Sequence, residues 1–251
     1  MKKRFFLAAF LALLAFAWSA PEFGALKDAR DGRTYKTVKI GNQIWMAQNL
    51  DYGKFVRSNK PLQPAQKYCY GNDSGACGER GGLYAWDAAM AWTKKKCGEN
   101  GECRVRGICP KGWHLPNLKE WKRLIAADSA CISSDPTCPE PDSLGIQCGQ
   151  REKHGALKAE SWNGSNALGF SALPAGFLRS DQAMDEKRKE RTDSEADGRF
   201  KNGNAHAIFW TSSENDEFAA HSVLIGEDTD RPVPMANFDK HFGFSVRCVK
   251  D

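Results

Sequence analysis

The sequence lacks the cysteine spacing that zinc sites commonly use. None of its nine cysteines forms a Cys-x-x-Cys pair, and the closest neighbours, Cys97 with Cys103 and Cys103 with Cys109, have five residues between them. Structural zinc sites usually take ligands from pairs separated by about two to four residues. The five histidines form no His-x-x-x-His pair either. We therefore expect no metal site.

Several other signatures are missing as well. The sequence has no glycine-rich phosphate loop, no serine in a nucleophile elbow and no internal repeat. The net charge is +5, but Lys2, Lys3 and Arg4 lie in a segment that we expect to be removed, and the remainder is close to neutral. No basic stripe is interleaved with aromatic residues, which argues against a nucleic-acid partner. We expect neither a cofactor nor a nucleic acid.

Long apolar runs are also absent, except at the N-terminus. Residues 5–17 are apolar and follow three positive charges, the pattern of a secretory signal peptide whose core is too short to span a bilayer. Cleavage after Ser19 would place small side chains at the required positions. We expect a signal peptide at 1–19, with an uncleaved anchor as the alternative. The protein would then be secreted or held at the cell surface, with no transmembrane segment after signal removal.

All nine cysteines lie beyond this segment. In an exported chain they predict a disulfide framework with one thiol left over. Sequence spacing favours three local bridges: Cys97–Cys103 across an Asn-Gly turn, Cys69–Cys77 and Cys131–Cys138. A bridge from Cys138 to Cys148 is the alternative to the third, and otherwise Cys148 is the spare thiol.

Alternation and turn residues predict many short strands. Residues 20–30 are interpreted as a short tether, and the Gly41-Asn42 turn joins predicted strands at 34–40 and 43–49 into a hairpin. Residues 181–196 are almost wholly polar and predict a charged insert. Further strands are predicted at 170–178, 207–212, 219–225 and 242–249.

Two helices are predicted before these later strands. The first opens at Gly81-Gly82, because apolar residues recur at helical spacing over 83–93. The second begins with Asn117 and Glu120, which match a capping box. Early helices followed by a run of strands indicate an α+β fold, and residues 31–251 suit one domain.

Five separated stretches resemble one known family, and we name them the first to fifth family stretches. Together, in this order, they are similar to the Fibrobacter succinogenes major paralogous domain family, known from exported bacterial proteins. The resemblance extends from about residue 28 to residue 251. The stretches are 31–41 (DGRTYKTVKIG), 45–50 (WMAQNL), 107–116 (GICPKGWHLP), 169–176 (GFSALPAG) and 243–251 (GFSVRCVKD).

The resemblance implies a fold but no reaction. The family is similar in turn to the C-type-lectin-like fold of the formylglycine-generating enzymes, through His114-Leu115-Pro116 before a helix and through the terminal strand with Arg247. It implies two early helices packed on short, mostly antiparallel twisted sheets in a loop-rich, disulfide-bonded domain. The insert at 181–196 and the cysteine-rich segment 126–154 depart from the family pattern, so a shared ligand does not follow.

Cys109 and Cys248 lie within two family stretches, and we expect them to pair. Cys248 has no neighbour close enough for a local loop, and the local bridges occupy most other cysteines. The bridge would close a loop of about 140 residues and stabilise the fold. A formylglycine-generating oxidoreductase needs a reactive cysteine pair that holds copper, which a disulfide-bonded Cys248 cannot supply. His114 is predicted to be a hydrogen-bonded structural residue.

Exposed aromatic side chains offer a calcium-free route to sugars, because a flat ring packs on a pyranose face while amides and carboxylates take its hydroxyls. Two tryptophans with polar neighbours fit this description, with core placement as the alternative for both. The triplets Glu140-Pro141-Asp142 and Trp162-Asn163-Gly164 provide too few oxygens for calcium. The predicted binding residues are Trp162, Asn163, Trp210, Ser212, Glu214 and Asn215.

The sequence thus predicts an exported, non-enzymatic binding module that engages a glycan or a cell-surface protein. One alternative is an oxidoreductase of the formylglycine-generating type, which a free copper-binding thiol pair would favour. Another is a purely structural envelope protein, which complete disulfide pairing would allow equally well.

Overall fold

The computed structural model describes residues 20–98, 103–128, 155–179, 199–227 and 232–251. In these ranges the chain has a mixed α+β fold with mostly antiparallel sheets and few helices. The α-helices are α1 (Ser74–Arg80), α2 (Trp86–Ala89) and α3 (Leu118–Asp128). The strands are β1 (Glu22–Lys27), β2 (Thr34–Ile40), β3 (Gln43–Met46), β4 (Lys54–Phe55), β5 (Gln66–Lys67), β6 (Trp113–His114), β7 (Phe177–Leu178), β8 (Phe200–Lys201), β9 (His206–Glu214), β10 (Ala219–Gly226), β11 (Val233–Asp239) and β12 (Val249–Lys250).

The five-stranded sheet has the order β1-β2-β3-β12-β6, and all its neighbours are antiparallel. The predicted hairpin of β2 and β3 is confirmed, and Gly41 turns the chain with a φ of +57°, which glycine adopts without steric cost. The predicted tether at 20–30 is wrong, because β1 lies within it and pairs with the full length of β2. This pairing satisfies backbone groups that an edge strand would otherwise leave open.

The three-stranded sheet has the order β11-β10-β9. Strands β9 and β10 confirm two predicted strands and are almost wholly buried. Strand β11 was not predicted, because its sequence contains Pro234 and has few of the β-branched residues typical of strands. The predicted strands at 170–178 and 242–249 shorten to β7 and β12, and isolated bridges extend them.

Helix α3 confirms the second predicted helix and its cap. The Asn117 Oδ1 atom accepts from the Glu120 backbone N–H at 2.9 Å, and Glu120 Oε2 accepts from the Asn117 N–H at 2.9 Å. The first predicted helix is wrong, because only the single turn of α2 is helical within it. Leu83 and Tyr84 form β-bridges to distant segments instead. Because this segment is buried on several sides, it contains many apolar residues, and their spacing resembles that of a helix.

Two buried clusters lie on opposite faces of the five-stranded sheet. Adjacent residues of β3 point in opposite directions, so Met46 belongs to the first cluster and Trp45 to the second. The first cluster also contains Trp86 and Trp210. In the second, the rings of Trp45 and Trp121 have centroids 5.0 Å apart. Burial of aromatic rings on both faces explains how so many short strands form one stable unit.

Three predicted disulfides are confirmed. They are Cys69–Cys77, Cys97–Cys103 and Cys109–Cys248, with Cα–Cα distances of 5.1, 5.6 and 5.9 Å. The last joins the segment before β6 to the segment before β12 across 139 residues of sequence. Such bonds are typical of proteins that fold in oxidising compartments. The predictions for Cys131, Cys138 and Cys148 lie outside the described residues.

Other predictions also lie outside the described residues, namely the signal peptide at 1–19, the charged insert at 181–196 and the Glu140-Pro141-Asp142 triplet. The chain on either side of the insert forms the antiparallel pair of β7 and β8. Among the helices of the described ranges, none is long and apolar enough to cross a membrane.

Candidate functional site

The two tryptophans predicted to bind sugar both lie in the core, and this prediction is wrong. Trp162 is 5% exposed and Trp210 is fully buried. Trp162 belongs to the same cluster as Trp121, and Lys158 Nζ lies 5.0 Å from its ring centroid. Trp210 donates from Nε1 to the Tyr84 carbonyl at 2.7 Å. Rings that solvent barely reaches cannot stack on a sugar.

The predicted polar partners of these rings do not form a site either. Ser212 is buried, and its hydroxyl lies 3.5 Å from Cys97 Sγ. Asn215 is exposed and donates to Asp216 Oδ2 at 2.8 Å. Asn163 is exposed, with a φ of +53°, but the ring beside it is buried. These polar groups therefore have no exposed aromatic ring beside them on which a sugar could stack.

Glu214, another predicted binding residue, is held by two cations. Its Oε1 atom accepts from the Nζ atoms of both Lys96 and Lys240. Burial would raise the pKa of Glu214, but hydrogen bonds and charge from the two lysines hold that pKa below its ordinary value. Lys240 Nζ also lies 4.8 Å from the Trp86 ring centroid. The carboxylate is thus part of a structural ion cluster.

Among the described tryptophans, Trp92 is the exposed one, with 45% of its surface accessible. The others are each at most 6% exposed: Trp45, Trp86, Trp113, Trp121, Trp162 and Trp210. The sequence analysis missed the exposure of Trp92, because it assigned residues 83–93 to one helix. Trp92 does not lie on the apolar face of that predicted helix, and this position was the available sign that the residue is exposed.

The backbone holds Trp92 in an uncommon conformation. Ala91 and Trp92 have φ values of +51° and +53°, a left-handed conformation that side chains with a Cβ rarely adopt. The Trp92 N–H donates to the Asp87 carbonyl at 2.8 Å, and the Ile108 N–H donates to the Ala89 carbonyl at 2.8 Å. Such conformations persist where the surroundings enforce them, and they concentrate at functional sites. Trp92 is therefore fixed on the surface at the end of α2.

Trp92 lines an open cleft of about 360 Å³, which we name the Trp92 cleft. This volume is near the lower end for ligand clefts, about 300–1,000 Å³. Leu62 and Tyr68 contribute buried apolar surface next to the tryptophan. The polar and charged side chains around it are Ser58, Asn59, Lys60, Asp87, Arg179, Arg199 and His241.

Hydrogen bonds fix one wall of this cleft. The buried Arg199 donates to the Ser58 carbonyl at 3.0 Å and to its Oγ at 2.9 Å. Asn72 Oδ1 accepts from the Ser58 N–H at 2.8 Å. The Tyr68 hydroxyl donates to the Lys60 carbonyl at 2.6 Å. The loop at 58–62 is therefore held in place before any ligand binds.

A second cavity, of about 260 Å³, lies beside β2, α1 and the segment that follows β3, and we name it the Arg247 cavity. Arg247 is 1% exposed and donates to neutral oxygens. Its Nε bonds to Asn49 Oδ1 at 2.8 Å, its Nη2 to the Ser171 carbonyl at 2.8 Å, and its Nη1 to the Phe170 carbonyl. Burial lowers the pKa of Arg247 to about 9, so the side chain is still charged at neutral pH.

Four of the five family stretches meet at the Arg247 cavity. Tyr35 comes from the first, Asn49 from the second, Ser171 from the fourth and Arg247 from the fifth. By contrast, the residues that line the Trp92 cleft all lie outside the family stretches.

The third family stretch contributes His114, which is buried as a hydrogen-bonded residue, as predicted. Its Nε2 lies 2.8 Å from Glu120 Oε1 and its Nδ1 lies 2.7 Å from Asp251 Oδ1. Burial alone would lower the pKa of His114, but hydrogen bonds and charge from both carboxylates raise it above its ordinary value of 6.5. No group of three or more His, Cys, Asp or Glu side chains within the described ranges could hold a metal ion.

The family model of the Fibrobacter succinogenes major domain matches residues 38–250. The chain belongs to this family. The matched range includes most of the lining of the Arg247 cavity and the whole lining of the Trp92 cleft. No curated protein and no solved structure matches the chain. The match to the Fibrobacter succinogenes major domain family thus identifies the framework of the fold but gives no ligand.

Proposed function

We propose that this member of the family is an exported, non-enzymatic binding module of C-type-lectin-like fold that engages a glycan at the bacterial cell surface. The Trp92 cleft is the binding site. The observation that carries this proposal is the position of Trp92, whose exposed indole is held by a left-handed backbone at a cleft that is larger than the Arg247 cavity.

The chemistry of the cleft suits a sugar ring. An indole face packs on the C–H groups of a pyranose, and polar side chains at its rim take the hydroxyls. Asp87 is an exposed acceptor, and the Asn59 amide is both donor and acceptor. His241 Nδ1 lies 2.7 Å from Asp239 Oδ1, which leaves Nε2 as the ring nitrogen for a ligand. Stacking and hydrogen bonding can therefore act on one sugar residue together.

The exposed apolar surface favours a small ligand over a protein partner. The large exposed hydrophobic residues in the described ranges are Phe23, Trp92, Phe218 and Val233. Of these four, Trp92 lines a described cavity. A stable protein interface buries about 800 Å² on each partner and usually has a contiguous apolar centre. Four exposed side chains from separate segments do not by themselves provide such a surface.

Two further observations support the proposed fold and localisation. The marks shared with the C-type-lectin-like fold lie side by side, because Val249 of β12 pairs with His114 of β6. The three disulfides suit an oxidising compartment outside the cytoplasm. Cys248 is bonded to Cys109, so it does not offer the thiol that the oxidoreductase alternative requires.

A glycan array followed by calorimetric titration tests the proposal. The oxidised protein should bind a defined set of glycans. Trp92→Ala should weaken the binding of an array-positive glycan about tenfold or more, because the stacking face is lost. Trp92→Phe should retain part of the affinity.

Phe218→Ala is the matched control, since it removes an aromatic side chain that is 75% exposed but does not line the cleft. Its affinity should equal that of the parent protein. Equal affinity of Trp92→Ala and the parent would show that the cleft is not the site. Binding to none of the glycans on a broad array would refute the glycan proposal itself.

A further inference from the structure

We propose that the Arg247 cavity is a second binding site, which takes a small ligand through an oxyanion group, a carboxylate or a sulfate, that meets the Arg247 guanidinium. The proposal does not depend on the proposed function, since the two cavities share no lining residue.

The charges around this cavity favour an anion. Its lining carries four cationic side chains, Arg33, Lys36, Arg80 and Arg247, and two carboxylates, Asp51 and Glu79. Asp51 is already engaged by two cations, since Lys67 Nζ bonds to its Oδ1 and Arg33 Nη1 lies 2.8 Å from its Oδ2. Glu79 is exposed on α1, where water screens its charge. The remaining charge of the cavity is therefore positive.

Two guanidinium groups of this lining bond to neutral oxygens. The bonds of Arg247 go to Asn49 and to two backbone carbonyls. Arg80 donates from Nη1 to the carbonyls of Gly203 and Pro174, and from Nη2 to Asn204 Oδ1 at 3.3 Å. The buried Arg247 is partnered by neutral oxygens and by the ring of Phe170, whose centroid lies 4.1 Å from its Cζ, so it retains a large desolvation cost. An oxyanion in the cavity would offset this cost.

Donors for an oxyanion are present in the lining. A guanidinium has five N–H groups, and the described bonds of Arg247 use three of them. The Tyr35 hydroxyl accepts from the Asp51 N–H at 3.1 Å, which leaves its proton to donate. Burial raises the pKa of Tyr35 to about 12, so it keeps that proton at neutral pH. Hydrogen bonds from a guanidinium to an oxyanion are stronger than those between neutral groups.

The dimensions limit the ligand to a small one. The cavity volume of about 260 Å³ is below the usual range for drug-sized ligands, about 300–1,000 Å³. A single acidic sugar residue or a short organic acid has the appropriate size. Lys36 is exposed at the rim, where its charge would attract an anion toward the opening.

Titration of the intact oxidised protein tests this site. The probes are sodium glucuronate, sodium sulfate and neutral glucose, and the readout is the NMR signal of the Arg247 Nε–H. A saturable shift of this signal is expected with glucuronate or with sulfate, and none with glucose. Saturation by glucuronate alone identifies a carboxylate site, and saturation by sulfate alone identifies a sulfate site.

Variants of two neighbouring cations leave the buried Arg247 itself in place. The double variant Lys36→Gln/Arg80→Gln should raise the Kd of the saturating anion about tenfold, because two cations are lost. Lys39→Gln is the control, since it removes one lysine charge from β2 at a position that does not line the cavity. Its Kd should change less than about twofold.

The proposal is overturned if neither anion shifts the Arg247 signal at concentrations up to about 100 mM, or if the double variant binds as tightly as Lys39→Gln. Trp92→Ala should leave the Arg247 response intact, and the anion should not change glycan affinity at the Trp92 cleft. Failure at one cavity is therefore distinguishable from failure at the other.

Discussion

The Arg247 cavity and the Trp92 cleft differ in what builds them. Four family stretches contribute to the lining of the cavity, and its central side chain is buried. The cleft is lined by loops and by α2 outside those stretches, and its central side chain is 45% exposed. A buried guanidinium needs matched oxygens from several segments at once, whereas an exposed ring can change at little cost. The family framework and the proposed glycan site therefore lie in different parts of the molecule.

The largest change in stability is expected when the disulfide next to Arg247 is removed, and it tests whether the two regions differ. Replacing both Cys109 and Cys248 by serine should lower the free energy of unfolding by about 4 kcal/mol, because the bridge restricts a very long loop in the unfolded chain. Cys69→Ser/Cys77→Ser opens a much shorter loop and should cost about 2 kcal/mol. Urea denaturation measures both differences.

Glycan affinity of the Cys109→Ser/Cys248→Ser variant at low temperature should remain near that of the parent protein. Glycan binding at the cleft would then be independent of a disulfide that stabilises the family framework. A variant that is as stable as the parent but has lost a copper-dependent, oxygen-consuming activity would replace the binding-module proposal with the oxidoreductase alternative.

A matched pair of asparagines compares the two regions directly. Asn49→Ala removes the acceptor of Arg247 Nε and the amide that donates to the Arg80 carbonyl at 2.8 Å. This buried change should cost about 2–3 kcal/mol of unfolding free energy. Asn59→Ala, at the exposed rim of the cleft, should cost less than about 0.5 kcal/mol.

The Asn59→Ala variant should weaken glycan binding instead, which calorimetry measures on the same protein sample. Equal loss of stability in the two variants would contradict the division between framework and binding surface.

A smaller effect concerns pH. His114 has a raised pKa in the folded protein, so its contribution to stability is fully present below 6.5 and is lost as the pH rises through the folded value. Denaturation curves should therefore show lower stability on the alkaline side of that value. His114→Gln should flatten this part of the stability profile. An unchanged profile in His114→Gln would contradict the assignment.

Features with a local physical cause were predicted correctly. The hairpin follows from Gly41, which turns where other residues are strained, and the start of α3 follows from the reciprocal bonds of Asn117 and Glu120. Two disulfides follow from short cysteine spacing, and the family follows from motifs that are contiguous in sequence. Each of these patterns lies within a short segment, so its meaning does not depend on distant residues.

The candidate site could not be predicted in the same way. Trp162 and Trp210 have polar neighbours in sequence but lie in the core, whereas Trp92 lies within a segment of apolar helical spacing but is exposed. Whether a tryptophan is buried depends on which distant segments pack against it, since burial is a property of assembled sheets.

The amino-acid sequence by itself determined the hairpin, the cap of α3, the two local cysteine pairs and the family, because these depend on residue types at fixed short spacings. Only the tertiary structure decided that Trp92 faces solvent and that Arg247 is buried among neutral oxygens. The physical reason is that exposure and electrostatic environment arise from segments up to about 200 residues apart, which meet only when the sheets and their two clusters pack together.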